Sequence, residues 1–380
     1  MSDRTKGNGA IEQRSPGSFR LRYNGPSDAV GKRKQITETL RGSRRDAERL
    51  LRERLSTVEN GSYITPEKQT VGQFLAKWLD TYAATNVTPK TVQGYRQIIS
   101  CYASPLAHHH IQALTARHIQ GVYSSMLDRG LSANTVDHLH KVLHRALATG
   151  VKWGILVRNV SDAATAPRIV RKELKMWDVA TIQRFLETAK TSRYRDFFHV
   201  AVLTGMRRSE IAGLQWANVD LVNGRIGVVK TLQRIRGKGL VVGQPKTARS
   251  RRSIALSPDT IALFHEIRGR QIGRQTDAAE IWQNTGYVFT QADGRSVDPD
   301  AITKDFANLV KSASLPHLTV HGLRHAHATL LLESGVNPKV VSERLGHATI
   351  ATTMDIYSHV LPGIQEAAAL ALDAKLAEHG

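Results

Sequence analysis

The sequence predicts a multidomain α+β protein with a small N-terminal β-sheet plus helix domain, an all-α middle domain, and a mainly α C-terminal domain with a small antiparallel sheet. A length of 380 residues allows more than one hydrophobic core. Apolar residues recur at every second position near the start of the chain and at helical spacing further on. Two polar linkers, Gly61–Thr70 and residues 161–175, interrupt these patterns. We therefore expect domains at residues 1–64, 70–165 and 175–380.

The composition points to a nucleic-acid partner. The chain carries 53 Lys and Arg residues against 33 Asp and Glu residues, a formal charge of +20. Hydrophobic residues make up 41% of the chain, which excludes a wholly disordered protein, and a folded protein with this charge is typical of nucleic-acid binding. The single cysteine, Cys101, excludes an intramolecular disulfide and a cysteine-based zinc cluster. No apolar run reaches the roughly 18 residues of a membrane span, and the first residues lack the apolar core of a signal peptide. We expect a cytoplasmic protein that does not bind membranes.

The first domain is predicted to be a small sheet with one helix. Residues 1–17 are rich in Gly and polar residues, so we expect a mobile tail. Residues 18–23 alternate between apolar and basic side chains, which predicts a strand with one buried face, and residues 32–37 predict a further strand. Ser43 is placed to cap a helix with an apolar stripe. The basic face is either simply solvated or binds DNA, and the cations that we assign to DNA here are Arg20, Arg22 and Lys34.

The middle domain is predicted to be helical and basic. Thr88 and Pro89 form an N-cap followed by proline at the first helical position, and Asn134 is expected to cap another helix. The linker after this domain is also basic, so the two units that it joins could close around a duplex. Surface cations are often only solvated. Those assigned to DNA in this domain and linker are Lys90, Arg96, Lys141, Arg145, Arg168, Arg171 and Lys172.

The last domain mixes helices with short strands. Apolar spacing predicts helices around residues 182–186 and 197–203, and strand patterns follow at 224–229 and 252–256. Helices resume from about residue 259 to the end of the chain. The segment 364–376 is rich in Ala and Leu and predicts a final helix with an apolar face, which packs either on its own domain or on a neighbouring protomer.

Four short motifs of this domain carry reactive side chains. They are Thr204–Glu210, Gln244–Thr247, His321–His325, and Leu345–His347 followed by Tyr357. Arginine guanidinium groups match the oxygens of a phosphodiester, histidine can move a proton or donate to phosphate, lysine can protonate an alkoxide, and tyrosine can form a phosphoryl ester. No Asp/Glu cluster of the two-metal kind accompanies them, so fixed cations would stabilise the transition state in place of metal ions.

Each of these residues also has a structural interpretation. Arg207 and Glu210 have the spacing of a surface ion pair on a helix, and Tyr357 alone would be read as a core aromatic. His321 and His325 are four residues apart and could form a zinc-binding face, but Arg324 between them would repel a cation. The ordered set of four motifs in one domain outweighs these separate interpretations.

In these motifs the sequence resembles the tyrosine recombinases of the phage integrase family. The segments Leu131–Val136 and Trp153–Asn159 resemble the helical core-binding domain of integrases. Residues 1–64 resemble, more weakly, an arm-type DNA-binding domain. The resemblance therefore implies an arm-binding integrase with a core-binding domain at 70–165 and a catalytic domain with a C-terminal tail helix at 175–380.

The resemblance implies a role for each motif residue. Arg207 and Arg324 would clamp the scissile phosphate, Glu210 would support Arg207, and His347 would bond a phosphate oxygen. The residues that would carry out the attack and the departure are Tyr357 as nucleophile, His321 as acceptor of its proton, and Lys246 as proton donor to the departing 5′ oxygen. The product would be a 3′-phosphotyrosyl DNA and a free 5′-hydroxyl, formed without ATP, metal or any other cofactor.

The resemblance further implies a site-specific recombinase that integrates and excises a mobile element at double-stranded attachment sites. It would work as a homotetramer through a Holliday junction, in the nucleoid of a bacterial or phage-infected host cell, with a host DNA-bending protein and an excision factor as partners. Two alternatives stay open. One is a catalytically silent integrase-like regulator that binds DNA, and the other is a type IB topoisomerase, which shares the chemistry without site specificity.

Overall fold

The computed structural model describes residues 3–4, 9–27, 33–61, 63–64, 68–170, 176–245, 250–354, 370, 373 and 376–377. The chain forms two compact units, Met1–Arg171 and Lys172–Gly380. The first unit contains one hydrophobic core under a sheet and another among helices, and the second unit contains the largest core. The predicted fold class is confirmed: a small N-terminal sheet with a helix, a helical region, and a mainly helical region with small antiparallel sheets.

The N-terminal sheet is antiparallel and runs in the order β1-β2-β3-β4. Its strands are β1 (Asp3–Arg4), β2 (Gly9–Ser15), β3 (Ser18–Ser27) and β4 (Arg33–Arg41). The alternation expected in β3 is confirmed, because Phe19, Leu21 and Tyr23 are buried against helix α1 (Arg44–Glu59). Ser43 caps α1 as expected, accepting a hydrogen bond from the backbone N–H of Asp46 at 3.2 Å.

The expectation of a mobile tail over residues 1–17 is wrong for residues 9–15, which form β2. Two contacts of this segment, which its composition does not indicate, place it in the sheet. Ile11 lies opposite Leu21 in the register with β3 and packs against the same core. Gly9 lies so close to helix α1 that an added Cβ would approach Leu51 Cδ1 to 2.8 Å. Pairing with β3 satisfies backbone groups that β3 would otherwise leave open at a sheet edge.

The middle region is a helical bundle, as expected. Its helices are α2 (Val71–Trp78), α3 (Ala84–Asn86), α4 (Pro89–Tyr102), α5 (Ala116–Asp128) and α6 (Ala133–Lys152), with a π-helical turn at Leu79–Ala83. Pro89 lies in the first turn of α4 behind its N-cap Thr88, as the sequence indicates. The cap assigned to Asn134 is wrong. Ser132 is the N-cap of α6 and accepts from the Thr135 backbone N–H at 3.3 Å, because Ser132 is the last residue with extended backbone.

The second unit surrounds an aromatic core that includes Phe185 and Phe306, whose ring centroids are 4.9 Å apart. Its helices are α7 (Val179–Thr188), α8 (Arg195–Thr204), α9 (Arg208–Ala212), α10 (Pro258–Ala278), α11 (Pro299–Ser312), α12 (Val320–Glu333) and α13 (Pro338–Leu345). Its strands are β5 (Val219–Asp220), β6 (Arg225–Val228), β7 (Thr231–Ile235), β8 (Gly239–Gly243) and β9 (Arg252–Ala255).

The strands expected at 224–229 and 252–256 are confirmed as β6 and β9, which pair with each other in the sheet β5-β6-β9. Strands β7 and β8, which lie between β6 and β9 in the sequence, form a separate antiparallel hairpin that was not predicted. The glycines at Gly237–Gly239, where the hairpin turns, are the feature of the sequence that indicates it.

The apolar helix expected over residues 364–376 lies almost entirely outside the described residues and stays a prediction. Among the helices of the described ranges, none combines the length and the apolar character needed to cross a membrane.

Candidate active site

The first arginine motif lies where helix α8 ends and helix α9 begins. Gly205 ends α8 in the left-handed conformation (φ 62°), and Arg207 is the N-cap of α9. The Arg207 guanidinium donates through Nη1 to Glu210 Oε1 at 2.7 Å and through Nη2 to the carbonyl of Gly346 at 3.1 Å. With 33% of its side chain exposed, Arg207 is fixed in direction and still open to a ligand.

Glu210 is the buried anion of this site. Besides Arg207 Nη1, its carboxylate accepts the Arg207 backbone N–H at 2.9 Å and Arg252 Nη2 at 3.0 Å. Burial opposes ionisation of Glu210. The hydrogen bonds and charges of Arg252 and Arg207 outweigh it and hold the pKa of the carboxyl below its usual value. Glu210 is therefore ionised near neutral pH and acts as a fixed support between two guanidinium groups.

Arg324 of helix α12 is the second arginine of the site and is only 3% exposed. Its Nη1 donates to the carbonyl of Gly205 at 2.8 Å, and its Nη2 donates to the carbonyl of Leu345 at 2.6 Å. Burial, followed by repulsion from Arg207, lowers the pKa of Arg324. Both burial and the repulsion from Arg207 act against the cationic form of Arg324, so an anion bound beside its guanidinium would be stabilising.

Three of the sequence motifs meet at the end of helix α13. Arg324 binds the carbonyl of Leu345, Arg207 binds the carbonyl of the next residue, Gly346, and His347 follows directly. Gly346 makes this approach possible because it ends α13 in the left-handed conformation (φ 67°). Backbone carbonyls thus orient both guanidinium groups and leave further N–H donors on each for a ligand.

The histidines of the site are uncharged at neutral pH. Burial, with repulsion from Arg324 and Arg207, lowers the pKa of His347 to about 4, and its Nδ1 lies 2.8 Å from the buried Thr353 hydroxyl. Desolvation of the His321 ring and repulsion from His325 and the arginines lower the pKa of His321 to about 4, although much of the residue remains exposed at the start of α12. The rings of His321 and His325 pack edge to face, with their centroids 4.9 Å apart.

Two residues assigned from the sequence lie outside the described residues. They are Lys246, in the segment before β9, and Tyr357, which follows the helical residues 351–354. Their positions relative to the arginines therefore stay predictions. Among the residues with described positions, no group of three or more His, Cys, Asp or Glu side chains is arranged to hold a metal ion.

Gly205 permits the close packing that orients Arg324, and its replacement gives a first prediction. An added Cβ would lie 2.5 Å from the His327 ring and 2.6 Å from Leu345, at a positive φ. We expect Gly205→Ala to lower the free energy of unfolding of the second unit by about 3 kcal/mol, the sum of left-handed strain and overpacking. Hydrogen exchange of second-unit peptides across a urea series measures it.

The matched control is Gly237→Ala, because Gly237 also has a positive φ (79°) but has no atom within 4 Å of an added Cβ. It should cost only the backbone strain of about 1–2 kcal/mol. Equal losses in the two variants would show that packing around Gly205 does not constrain the site.

His327 and Arg344 are supporting residues that the sequence analysis did not single out. The His327 ring is 7% exposed, with Nδ1 2.8 Å from the carbonyl of Val202 and Nε2 3.2 Å from Arg344 Nε. Arg344 can only donate, so Nε2 accepts and Nδ1 carries the proton. Burial and the charge of Arg344 lower the pKa of His327 to about 4. The signal in the sequence was its position three residues after Arg324 on the buried face of α12.

His327 predicts acid sensitivity of the second unit. The unfolded chain takes up a proton near pH 6.5, whereas the folded chain resists protonation until about pH 4. The stability that depends on neutral His327 is therefore complete above pH 6.5 and declines as the pH falls towards 4. We expect His327→Gln, whose amide can keep both hydrogen bonds, to flatten this decline in urea unfolding at pH 7, 6 and 5. An unchanged slope would show that His327 does not contribute to the decline, which would then come from other histidines of the unit such as His321 and His347.

The cations assigned to DNA are spread over the first unit. Arg22 and Lys34 are exposed on the sheet, whereas Arg20 is partly buried. Glu12 lies 3.4 Å from Arg22 and 3.9 Å from Arg20, so part of this face is charge-balanced. In the helical region and after it, the assigned cations are all exposed: Lys90, Arg96, Lys141, Arg145 and Arg168.

Several of these exposed cations have protein partners that a DNA phosphate would have to compete with. Arg96 pairs with Asp80 at 2.9 Å, Lys141 pairs with Asp137 at 2.6 Å, and Arg145 donates to the Tyr95 hydroxyl at 3.0 Å. Arg171 and Lys172 lie outside the described residues. The geometry brings three of the four reactive motifs together, whereas the described DNA-binding assignments remain separate surface positions.

Two family models match the chain. The model described as "Phage integrase family" matches residues 174–363, half of the chain, and "Phage integrase, N-terminal SAM-like domain" matches residues 70–127. Among curated relatives, a "Tyrosine recombinase XerC-like" protein of Caldanaerobacter subterraneus is 27% identical over 84% of this chain and 87% of its own length. The "ICEBs1 integrase" of Bacillus subtilis is 28% identical over 75% of this chain and 78% of its own length.

Solved structures show the same fold. The Tn1549 transposon integrase, solved in complex with a circular intermediate DNA, matches with a TM-score of 0.69 and 23% identity, covering 80% of this chain and all of that chain. The lambda integrase, solved as a tetramer bound to a Holliday junction, matches with a TM-score of 0.57 and 18% identity, covering 93% of this chain and 96% of that chain.

Proposed function

Because the chain belongs to the phage integrase family of tyrosine-type site-specific recombinases, we propose that its second unit cuts and rejoins DNA at the cluster of Arg207, Arg324, His321 and His347, with Tyr357 as nucleophile. One observation carries this proposal. The guanidinium groups of Arg207 and Arg324 bind the adjacent carbonyls of Gly346 and Leu345, which places two oriented cations beside His347.

The arginine pair would bind the non-bridging oxygens of the scissile phosphate. Negative charge builds up on these oxygens as the phosphorus becomes five-coordinate, and cations that are already oriented stabilise it without reorganisation. Arg324 supplies the buried cation and Arg207 the more exposed one. The negative charge of the bound phosphate would also offset the burial and the repulsion from Arg207 that together lower the pKa of Arg324. Glu210 keeps Arg207 in place and touches no reacting atom.

The histidines enter the reaction in the neutral form that their lowered pKa values indicate. Neutral His321 can accept the phenolic proton as Tyr357 attacks, and the approach of an anionic phosphate raises its proton affinity. His347, with Nδ1 next to the Thr353 hydroxyl, presents Nε2 as a donor to a phosphate oxygen.

Strand transfer would proceed through a covalent bond between the protein and DNA. The phenolic oxygen of Tyr357 forms a bond to phosphorus as the bond to the 5′ oxygen breaks, and Lys246 gives the departing oxygen its proton. The 3′-phosphotyrosyl ester conserves the energy of the broken linkage. A 5′-hydroxyl from another strand can therefore reverse the step without ATP, metal or other cofactor.

We assign DNA contacts to the other domains as well. Residues 1–64 would bind arm-type sites, and residues 70–165 would share the core site with the catalytic domain at 175–380. A homotetramer would join two attachment sites of a mobile element in the bacterial or infected host nucleoid, aided by a host bending protein and an excision factor. The solved relatives, bound to DNA as dimers and a tetramer, support DNA and self-association as partners.

A nicked suicide substrate tests the proposed chemistry, because loss of the short strand beyond the nick traps the covalent complex. We expect a protein–DNA adduct that forms equally in EDTA and in Mg²⁺, since guanidinium groups and not metal ions hold the phosphate. Activity that EDTA abolishes and Mg²⁺ restores would contradict the mechanism. DNA binding without any adduct would favour the silent regulator.

Two further assays on the wild-type chain separate recombination from relaxation. A plasmid with two attachment sites should yield recombinant circles, whereas a supercoiled plasmid without sites should keep its supercoils. Relaxation of the plasmid without sites, together with no recombinants, would favour the type IB topoisomerase.

A further inference from the structure

The buried arginine on strand β9, Arg252, belongs to none of the four sequence motifs, yet it contacts the supports of two of them. Its side chain is 6% exposed. Its Nε donates to the carbonyl of Arg344 at 2.6 Å, its Nη1 to the carbonyl of Ser250 at 3.2 Å, and its Nη2 to Glu210 Oε2 at 3.0 Å. One guanidinium thus joins β9, the end of helix α13 and the carboxylate that supports Arg207.

Through these contacts the Glu210 carboxylate binds two arginines, Arg207 and Arg252. Glu210 Oε1 accepts from Arg207 Nη1, whereas Oε2 accepts from the Arg207 backbone and from Arg252. The carboxylate is 1% exposed at its side chain, so no solvent replaces a lost donor. Removing Arg252 would leave half of the carboxylate under-satisfied, and a rotated carboxylate would no longer hold the Arg207 guanidinium in its present direction.

The contact of Arg252 with the carbonyl of Arg344 affects the orientation of both Arg324 and Arg207. Arg344 precedes Leu345 and Gly346, whose carbonyls orient Arg324 and Arg207. Arg252 therefore fixes the backbone just before both of these acceptors. Its planar fork makes three hydrogen bonds in different directions, which a lysine ammonium on a flexible stem cannot reproduce in the same place.

We propose that Arg252 is a positioning residue for DNA cleavage: it acts through Glu210 and the end of α13 to hold Arg207 and Arg324 in the orientation that binds the transition state. It touches no reacting atom itself. The proposal rests on the function proposed above, and it adds a residue of a strand that lies outside the reactive motifs.

The test compares Arg252→Lys and Arg252→Gln with wild type in single-turnover cleavage of a nicked suicide substrate, at saturating full-length protein. A merely structural role would lower the amplitude, because fewer molecules are folded, and would leave the rate of the folded fraction unchanged. A positioning role lowers the rate itself. We expect a rate loss of about 10–100-fold in both variants, by analogy with the loss when a residue that orients a metal ligand is replaced, with DNA affinity near wild type.

The matched control is Arg225→Gln, because Arg225 is an exposed arginine of the same sheet, the first residue of β6 and opposite Ala255 of β9. It should cleave at the wild-type rate. Wild-type rates in both Arg252 variants, or a loss confined to the amplitude, would overturn the proposal while the function stands. Failure of wild type and Arg225→Gln to form any adduct would overturn the proposed function, and this assignment with it.

A double-mutant cycle with Glu210→Gln identifies the route. Because Arg252 also acts through the end of α13, the rate loss of the double variant Arg252→Lys, Glu210→Gln should exceed that of either single variant and be smaller than the product of the two single losses. Rate losses that multiply would show that the two residues act independently, and would overturn the assignment through Glu210.

Discussion

Tyr357→Phe is expected to bind the core site with near wild-type affinity and to form no covalent adduct. The substitution removes a single oxygen, the atom that we propose attacks phosphorus, and it leaves the aromatic ring in place. Because no other group supplies that oxygen, the loss should reach the detection limit of the assay. Denaturing gels of a labelled suicide substrate measure the adduct, and mobility shifts measure binding.

Tyr287→Phe is the matched control for this loss. Tyr287 lies in the same unit, and burial raises the pKa of its hydroxyl. It should form adduct as wild type does. If Tyr357→Phe still forms adduct at the wild-type rate, Tyr357 is not the nucleophile. Another residue would then have to attack the phosphate that the arginines bind.

Arg324→Lys is expected to lower the cleavage rate by roughly 10³-fold, within the range for groups that stabilise transition-state charge. Lysine keeps the positive charge but cannot donate to the carbonyls of Gly205 and Leu345 and to a phosphate from one planar group. Core-site binding should change little, because phosphate contacts distributed over the chain supply most of the affinity. Single-turnover cleavage and mobility shifts separate the two effects.

Arg268→Lys serves as the control, since Arg268 lies on helix α10 with its guanidinium 5.5 Å from the centre of the Trp216 ring. It should leave cleavage unchanged. A loss in Arg324→Lys no larger than in this control would contradict the role of Arg324 as a clamp for phosphate.

Local patterns made much of the fold predictable from the sequence. The alternation around Leu21 predicts β3, and Ser43 and Thr88 cap the helices that they were expected to cap. The errors arise where tertiary packing decides. The segment 9–15 becomes a strand because Ile11 and the small Gly9 fit the core beside β3. Ser132 replaces Asn134 as the N-cap because helix α6 begins two residues earlier than its apolar stripe suggests.

The site, like the fold, was predictable from the sequence only where local patterns decide. Order and chemistry of the motifs were enough to select Arg207, Arg324 and His347, which the structure brings together around the carbonyls of Leu345 and Gly346. Arg252 and His327 could not be selected in this way. Their importance comes from burial and from partners 42 and 125 positions away in the sequence, which no local pattern reports.

The most direct test of the central claim identifies the residue that becomes joined to DNA. Adduct trapped on a suicide substrate would be digested with trypsin and nuclease, and the modified peptide would be sequenced by mass spectrometry. We predict one peptide, carrying a 3′-phosphonucleotide on the phenolic oxygen of Tyr357. A nucleotide attached to a serine, a histidine or a different tyrosine would contradict the account.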